Sequence, residues 1–310
     1  MAGFRLSELS RADLERAPGA SVERALEEGQ VLTLAPGVFA PPPESDLVFL
    51  REELGRRASL KNISYHPEGD FLSGLKGDAA TRERTRAILR EYGRRVATLL
   101  TRLCPRYAAG WHAGKVNFRP FEEQGRDLPA HSSNELVHVD AFASGATHGG
   151  RILRFFTNVH PERPRVWRTA GTFAELFPEF GPRAGITGRG LEGLRERLPD
   201  RALTGLVRLC TRAGLAPAAL LDTSPYDRAM KRMHDTLKDD AAFQADERRF
   251  ALAEFPPFSS WVVLTDMVSH AAVRGQHALV ATWIVPLERC VAPELAPYGV
   301  ISASGRTPGS

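Results

Sequence analysis

The stretch His138-Val139-Asp140 constrains this chain more than any other. Val137 and Val139 are β-branched and bracket the histidine, which predicts a strand. On a strand, alternate side chains share a face, so His138 and Asp140 point the same way and the valines point into a core. An imidazole beside a carboxylate is half of a mixed N/O metal site. One more histidine from far along the chain completes the two-His-one-carboxylate triad that holds non-heme Fe(II) and leaves positions open for co-substrate and oxygen. A His-x-Asp by itself is common by chance, so the surrounding sequence has to carry the argument.

That sequence reads as helix, strands, a helical insertion and strands again. Residues 10–28 predict a helix and 31–34 a strand. Residues 60–65 alternate as a strand or a substrate-facing loop. The clearest helix is 81–104, where Ile88, Tyr92, Val96, Leu99, Leu100 and Leu103 recur at helical spacing and Pro105 ends the run. Residues 115–120 and 151–160 predict strands. Between 161 and 257 the chain turns mostly helical, with helices at 173–180, 191–198, 202–213 and 224–238, the last opened by Ser224 and Pro225. Strands return at 251–255, 261–267 and 278–286. The expected fold is mainly β with α: a double-stranded β-helix, or jelly-roll barrel, with flanking helices. It is expected as a single domain over 1–301, with the helical insertion at about 161–250. The Gly/Ser/Pro-rich tail 302–310 is expected to be disordered.

Composition narrows the setting. Cys104, Cys210 and Cys290 are far apart and odd in number, which fits neither a zinc ribbon nor a disulfide framework and suits a reducing, cytoplasmic compartment. The first sixteen residues mix acids and bases without an apolar segment, so no signal peptide is expected. The late apolar runs are too short or interrupted to span a bilayer. Net charge is +4, and only five of the 41 basic residues are lysines. An arginine excess suits carboxylate and phosphate recognition and an anionic membrane surface. No basic and aromatic stripe points to nucleic acid.

The distal ligand has three candidates. His270 closes the apolar run 262–270, where a strand tips into a turn beside a barrel mouth, and is the best placed. His234, on a predicted helix, suits a substrate contact. His277 lies in a turn and is expected to be exposed. If the oxidant partner is 2-oxoglutarate, its far carboxylate needs a buried cation. Arg154 sits on the strand after the ligand strand, in phase with Phe156 and Asn158, while Arg151 falls on the opposite face. Arg119 is a second candidate cation, and Thr282 can add a hydroxyl.

Three segments resemble one family: His138-Val139-Asp140-Ala141-Phe142, the run from Gly150 to Val159, and Pro164-Arg165-Val166-Trp167-Arg168. Further matches run in order from Leu60-Lys61-Asn62-Ile63-Ser64-Tyr65 through Phe118-Arg119-Pro120 and His234-Asp235 to Ser269-His270 and Gly275-Gln276. Together they resemble the Kdo hydroxylases, Fe(II)/2-oxoglutarate dioxygenases that hydroxylate 3-deoxy-D-manno-oct-2-ulosonic acid (Kdo) at C3 in the inner core of lipopolysaccharide. The resemblance implies iron on His138, Asp140 and His270. It implies 2-oxoglutarate on Arg154 with Arg119, Asn158 and Thr282, and O2 as the oxidant. Asn62, Arg151, His234 and Lys238 are the substrate candidates. Kdo-lipid A as substrate implies peripheral contact with the inner face of the cytoplasmic membrane. The rival readings are an Fe(II)/2-oxoglutarate oxygenase for another small anion, a zinc hydrolase, and a non-enzymatic barrel that binds an anionic sugar.

Overall fold

The computed structural model describes residues 5–16, 19–35, 37–141, 145–186 and 222–304, with Leu194, Asp200, Ala202 and Thr204 between. The helices expected at 191–198 and 202–213 lie outside the described residues.

Eleven strands are described: β1 Leu6–Leu9, β2 Val31–Leu34, β3 Ile63–His66, β4 Phe71–Ser73, β5 His112–Arg119, β6 Arg151–Asn158, β7 Arg165–Thr169, β8 Ala251–Phe255, β9 Ser260–Leu264, β10 Ala271–Arg274 and β11 Ala278–Val285. They form an eight-stranded sheet in the order β1-β2-β9-β6-β11-β5-β3-β4 and a three-stranded sheet in the order β10-β7-β8. Only the β1–β2 pair is parallel. Phe156, Trp167, Phe255, Trp261, Val263 and Val280 fill the space between the sheets. The architecture is mainly β with α, the jelly-roll class that the sequence predicts.

Period-two alternation sorts each strand. On β6, Leu153, Phe155 and Thr157 face outward to the helices, and Arg154, Phe156 and Asn158 face the barrel interior. On β5, Val116 and Phe118 join the outer core, which turns Lys115, Asn117 and Arg119 inward. The barrel interior is therefore apolar on β9 and β11 and cationic on β5.

Four helices matter for the site: α1 Ala20–Glu27, α2 Ala79–Leu103, α3 Phe173–Arg183 and α4 Pro225–Asp239. Helix α2 is capped by Asp78, which accepts from Thr81 N at 2.7 Å. It buries Ile88, Leu89, Tyr92, Val96 and Leu100, and Tyr92 bonds Thr157 of β6 at 3.0 Å. Helix α4 starts with a reciprocal Ser224–Asp227 capping box and Pro225 in its first turn.

Several expectations are corrected. The 10–28 helix is two: Arg11–Glu15, and α1 after Gly19. The region from 161 is not helical at first, because Arg165–Thr169 is a central strand between β10 and β8. Residues 302–303 are not disordered but close the helix Pro297–Ala303. His138-Val139-Asp140 is not a ladder strand; it is extended chain joined to β10's edge by one isolated bridge. No helix among the described residues is long and apolar enough to cross a membrane.

Candidate metal centre

The bridge that replaces the expected strand is itself the device that builds the site. His138 N donates to His270 O at 3.1 Å and His270 N donates to His138 O at 2.8 Å. Two backbone hydrogen bonds thus fix the two histidines opposite one another across 132 residues of chain. Asp140 N donates to Thr265 O at 2.9 Å, which holds the carboxylate between them. His138 Nε2 lies 3.7 Å from Asp140 Oδ1, and His270 Nε2 lies 3.9 Å from Asp140 Oδ2. One ligand atom from each of the three lies within 4.8 Å of the others.

Tautomers follow from the second ring nitrogens. His138 Nδ1–H donates to Leu136 O at 2.7 Å, and His270 Nδ1–H donates to Val268 O at 2.9 Å. Each Nε2 is then left with its lone pair, as a metal-binding imidazole needs. Burial holds both rings neutral: it pushes His138 well below the ordinary range, with the neighbouring His270, Lys238 and His234 adding to the effect. It pushes His270 down to about 4. Burial would raise the Asp140 carboxyl, but Arg154, His270, His138 and the Thr265 hydroxyl together outweigh it and hold Asp140 well below the usual range. Two neutral imidazoles and a carboxylate release no proton when they take a cation at pH 7. Asp140 Oδ2 is buried and has no hydrogen-bond partner among the described residues. An orphaned anionic oxygen between two available nitrogens fits a divalent N/O-preferring metal such as Fe(II).

The trio lines a small cleft together with Arg119, Asn134, Arg154, Phe156, Trp167 and Ala272. Trp167 from β7 stacks on His270 at 5.0 Å between ring centroids. Arg154 Nη2 stands 3.2 Å from Asp140 Oδ2, and Arg154 Nε has no hydrogen-bond acceptor. Arg119 Nε is likewise buried and without an acceptor, its guanidinium over the Phe156 ring. Burial lowers the Arg119 pKa to about 10, although Glu123 3.6 Å away opposes that. Two incompletely satisfied guanidinium groups beside a metal-type triad make a site for carboxylates.

The other sequence candidates divide. His234, on α4, packs edge-on against His138 at 4.8 Å and bonds Val139 O, so it braces the centre. Lys238 is one turn further along the same helix. Thr282 pairs with Arg154 across β11 and β6. Asn62 has a buried Oδ1 without a partner. Arg151 does not reach the cleft. It is on the opposite face of β6, fully buried, with Nε donating to Asp266 Oδ2 at 2.6 Å. Asn158 is also outside it, because four residues of strand carry it about 13 Å from Arg154. Its Nδ2 instead clips the carbonyls of Arg163, Phe255 and Pro256. His277 is half-buried rather than exposed, stacked with Phe118 and His160. Sequence reasoning missed Asn134, Glu123 and Trp167. Only the inward phase of Trp167 on an unrecognised strand could have signalled any of them.

The family model described as 3-deoxy-D-manno-oct-2-ulosonic acid (Kdo) hydroxylase matches residues 11–307. Among solved structures, the chain is similar to the Kdo hydroxylase KdoO, a non-heme Fe(II) α-ketoglutarate-dependent dioxygenase, in complex with α-ketoglutarate and Fe(III). The TM-score is 0.78 at 28% identity, over 97% of this chain and 95% of that one. KdoO with cobalt(II) matches at TM-score 0.78 and 28% identity, over 96% and 95%. KdoO with succinate and Fe(III) matches at 0.77 and 27%, over 96% and 95%. No curated protein sequence matches the chain.

Proposed function

The chain belongs to the Kdo hydroxylase family, and on that premise we propose that it hydroxylates C3 of Kdo in Kdo-lipid A at a centre formed by His138, Asp140 and His270. It is an Fe(II)/2-oxoglutarate-dependent dioxygenase. When bound, iron(II) with 2-oxoglutarate (α-ketoglutarate) and O2 supplies the oxidising power for C–H hydroxylation, with succinate and carbon dioxide as co-products. His138 Nε2, His270 Nε2 and the Asp140 carboxylate hold the metal. Arg154 takes the far carboxylate of 2-oxoglutarate, supported by Arg119, while Thr282 lies alongside. Phe156 and Trp167 keep the inner wall of the cleft dry, which strengthens every charge interaction inside it. His234 braces His138 and keeps its ring from turning.

The observation that carries this reading is the pairing of two Nε2 lone pairs and an orphaned carboxylate oxygen with two under-satisfied guanidinium groups in one cleft. What sets these atoms apart from the Arg151 Nη atoms, buried unpaired on the outer face of β6, is that their residues all line one cleft. The lipid-linked sugar would place the protein at the inner face of the cytoplasmic membrane as a peripheral enzyme, a placement its arginine excess suits.

The test is mass spectrometry of Kdo-lipid A incubated with the protein, Fe(II) and 2-oxoglutarate, with and without air. One added oxygen atom only in the complete aerobic mixture is expected, lost in His138→Ala and His270→Ala. Succinate release without sugar hydroxylation would retain the oxygenase chemistry and discard the substrate. Neither product would overturn the reading.

A further inference from the structure

Two lysines beside the Asn134 wall of the cleft are held in an arrangement that the binding of iron and 2-oxoglutarate does not use. Lys61, just before β3, donates from Nζ to Ser132 O and to Asn134 Oδ1, both at 2.6 Å. Lys238, in the last turn of α4, donates from Nζ to His131 O at 3.0 Å and Ser133 O at 2.8 Å. Two ammonium groups from distant parts of the chain thus converge on one segment, 131–134, whose Asn134 lines the cleft. Among the described residues neither has a carboxylate in its hydrogen-bond shell; every partner is a neutral oxygen. Lys238 is buried and Lys61 partly so, and burial lowers Lys61 to about 7 and Lys238 to about 8. Lys238 is close enough to His138 to depress its pKa, and Lys61 feels both Arg119 and Lys238.

An ammonium whose hydrogen-bond partners are all neutral oxygens is costly to bury, even with Asp140 and Asp235 near Lys238 and Glu123 near Lys61. Structural lysines avoid that cost by pairing with an acid or by reaching solvent. The cations also fall into two ranks. Arg154 and Arg119 line the cleft, Arg119 over the Phe156 ring, and Lys238 and Lys61 hold the 131–134 segment that borders it. The reaction brings two carboxylate-bearing molecules. The inner rank serves 2-oxoglutarate under the function proposed above, on which this inference rests. The sugar acid carries its carboxylate on C2, next to C3. A cation pair beside the Asn134 wall would therefore fix the reacting carbon relative to the metal.

We propose that Lys61 and Lys238 form a paired-ammonium subsite for the C1 carboxylate of the sugar acid, pre-positioned by the carbonyls of 131–134, which the carboxylate displaces on binding. Both are positioning residues for the substrate.

The experiment is steady-state kinetics of the full chain with Fe(II), 2-oxoglutarate and air on Kdo-lipid A and on its C1-carboxamide, which has the same shape without the charge. Charge-assisted hydrogen bonds of this kind correspond to roughly 10- to 150-fold in affinity. The wild type should therefore show a KM for the carboxamide at least ~10-fold above that for the acid. In Lys61→Met/Lys238→Met the KM for the acid should rise to about the carboxamide value, so that the discrimination collapses. Lys61→Arg/Lys238→Arg should restore part of it. A double variant that still discriminates as the wild type does would overturn the proposal, and so would a wild type that uses both substrates equally, a measurement that needs no variant to fold. A wild type that hydroxylates neither would overturn the function on which the proposal rests.

Discussion

Arg151 and Arg154 stand three residues apart on β6 and face opposite ways. On the outer side, Arg151 is fully buried and neutralised by Asp266, itself 1% exposed. Beyond it, Glu27 accepts from the Tyr107 hydroxyl and from Val291 N, neutral donors that satisfy a buried carboxylate. The Arg151 Nη atoms lack acceptors, so the balance there is of charge rather than of hydrogen-bond number. On the inner side, Glu123 is drawn on by Arg165, Arg119 and Arg126 together, Arg154 leans on Asp140, and Lys61 and Lys238 touch no acid. An uncompensated buried charge costs several kcal/mol. A surplus of one sign therefore marks the place where anions arrive, and a one-to-one pair marks scaffold.

The largest effect should come from the inner side. Asp140→Ala removes the only carboxylate in the triad and should abolish stoichiometric iron binding, measured by metal analysis after gel filtration. Hydroxylation should fall by at least ~1000-fold, about 4 kcal/mol. Thermal stability of the metal-free protein should fall, because buried Arg154 loses the carboxylate it leans on. Retained iron at one equivalent would break the comparison at its root.

How much of this was legible in the sequence depends on the range of the signal. The helix α2 and strands β6 and β11 were readable because their periodicity is local and long. Arg154 and Arg151 were separable by parity alone, which no distant contact alters. Strand β7 was not readable: five residues between Pro164 and Gly171 carry too little pattern, and only pairing with β8 and β10 makes them a strand. The ligand stretch was read correctly for its shared face but wrongly as a ladder strand, since an isolated bridge to His270 is a long-range event. Parity also misled at Asn158, which shares a face with Arg154 but sits at the far end of it. The lysine pair was half visible. Lys238 stands among the substrate candidates and Lys61 lies in a matched segment without a role, while the convergence of both on one loop exists only in the fold.

Arg151→Met should separate the two sides in the opposite sense. It strands the Asp266 carboxylate in a dry site, and breaking such a pair typically costs about 3–5 kcal/mol. Denaturant unfolding should show that loss. The KM for 2-oxoglutarate, measured on the fraction that remains folded, should stay within about twofold, because Arg151 does not line the cleft. A KM effect larger than the stability effect would mean that the two faces of β6 are not independent.

Arg154→Met comes next. A charge-assisted bond to a carboxylate is worth about 1.5–3 kcal/mol, so the KM for 2-oxoglutarate should rise roughly 10- to 150-fold. Arg119→Met should raise it by less, since Glu123 keeps drawing on that guanidinium, whereas a bound metal takes up the Asp140 carboxylate beside Arg154. The reverse order would transfer the anchoring role to Arg119 and leave Arg154 as a partner of Asp140.

The smallest effect tests whether the scaffold rule holds for a group that can give up its charge. His277 is half-buried beside His160, Arg51 and Arg163, with only Glu122 opposing them, and burial followed by those cations takes it down to about 4. In the unfolded chain a histidine titrates near 6.5. Between about pH 6.5 and 4 the unfolded chain therefore holds a proton that the folded chain does not, and stability falls as pH falls through that window. Above pH 7 both states are neutral and the term vanishes. Allowing for partial exposure, the loss approaches about 2 kcal/mol near pH 4. His160 shifts in the same direction, as do the metal-free ligand histidines, so the measurement must be a difference. His277→Asn keeps a side chain tolerant of the left-handed backbone at this position, where φ is 56°. Its melting temperature should match the wild type's dependence above pH 7 and decline less steeply below pH 6.5. Parallel decline in both proteins would show that His277 already carries its proton at low cost. A positive charge would then be tolerated without a partner away from the cleft, and surplus charge would lose its value as a marker of the site.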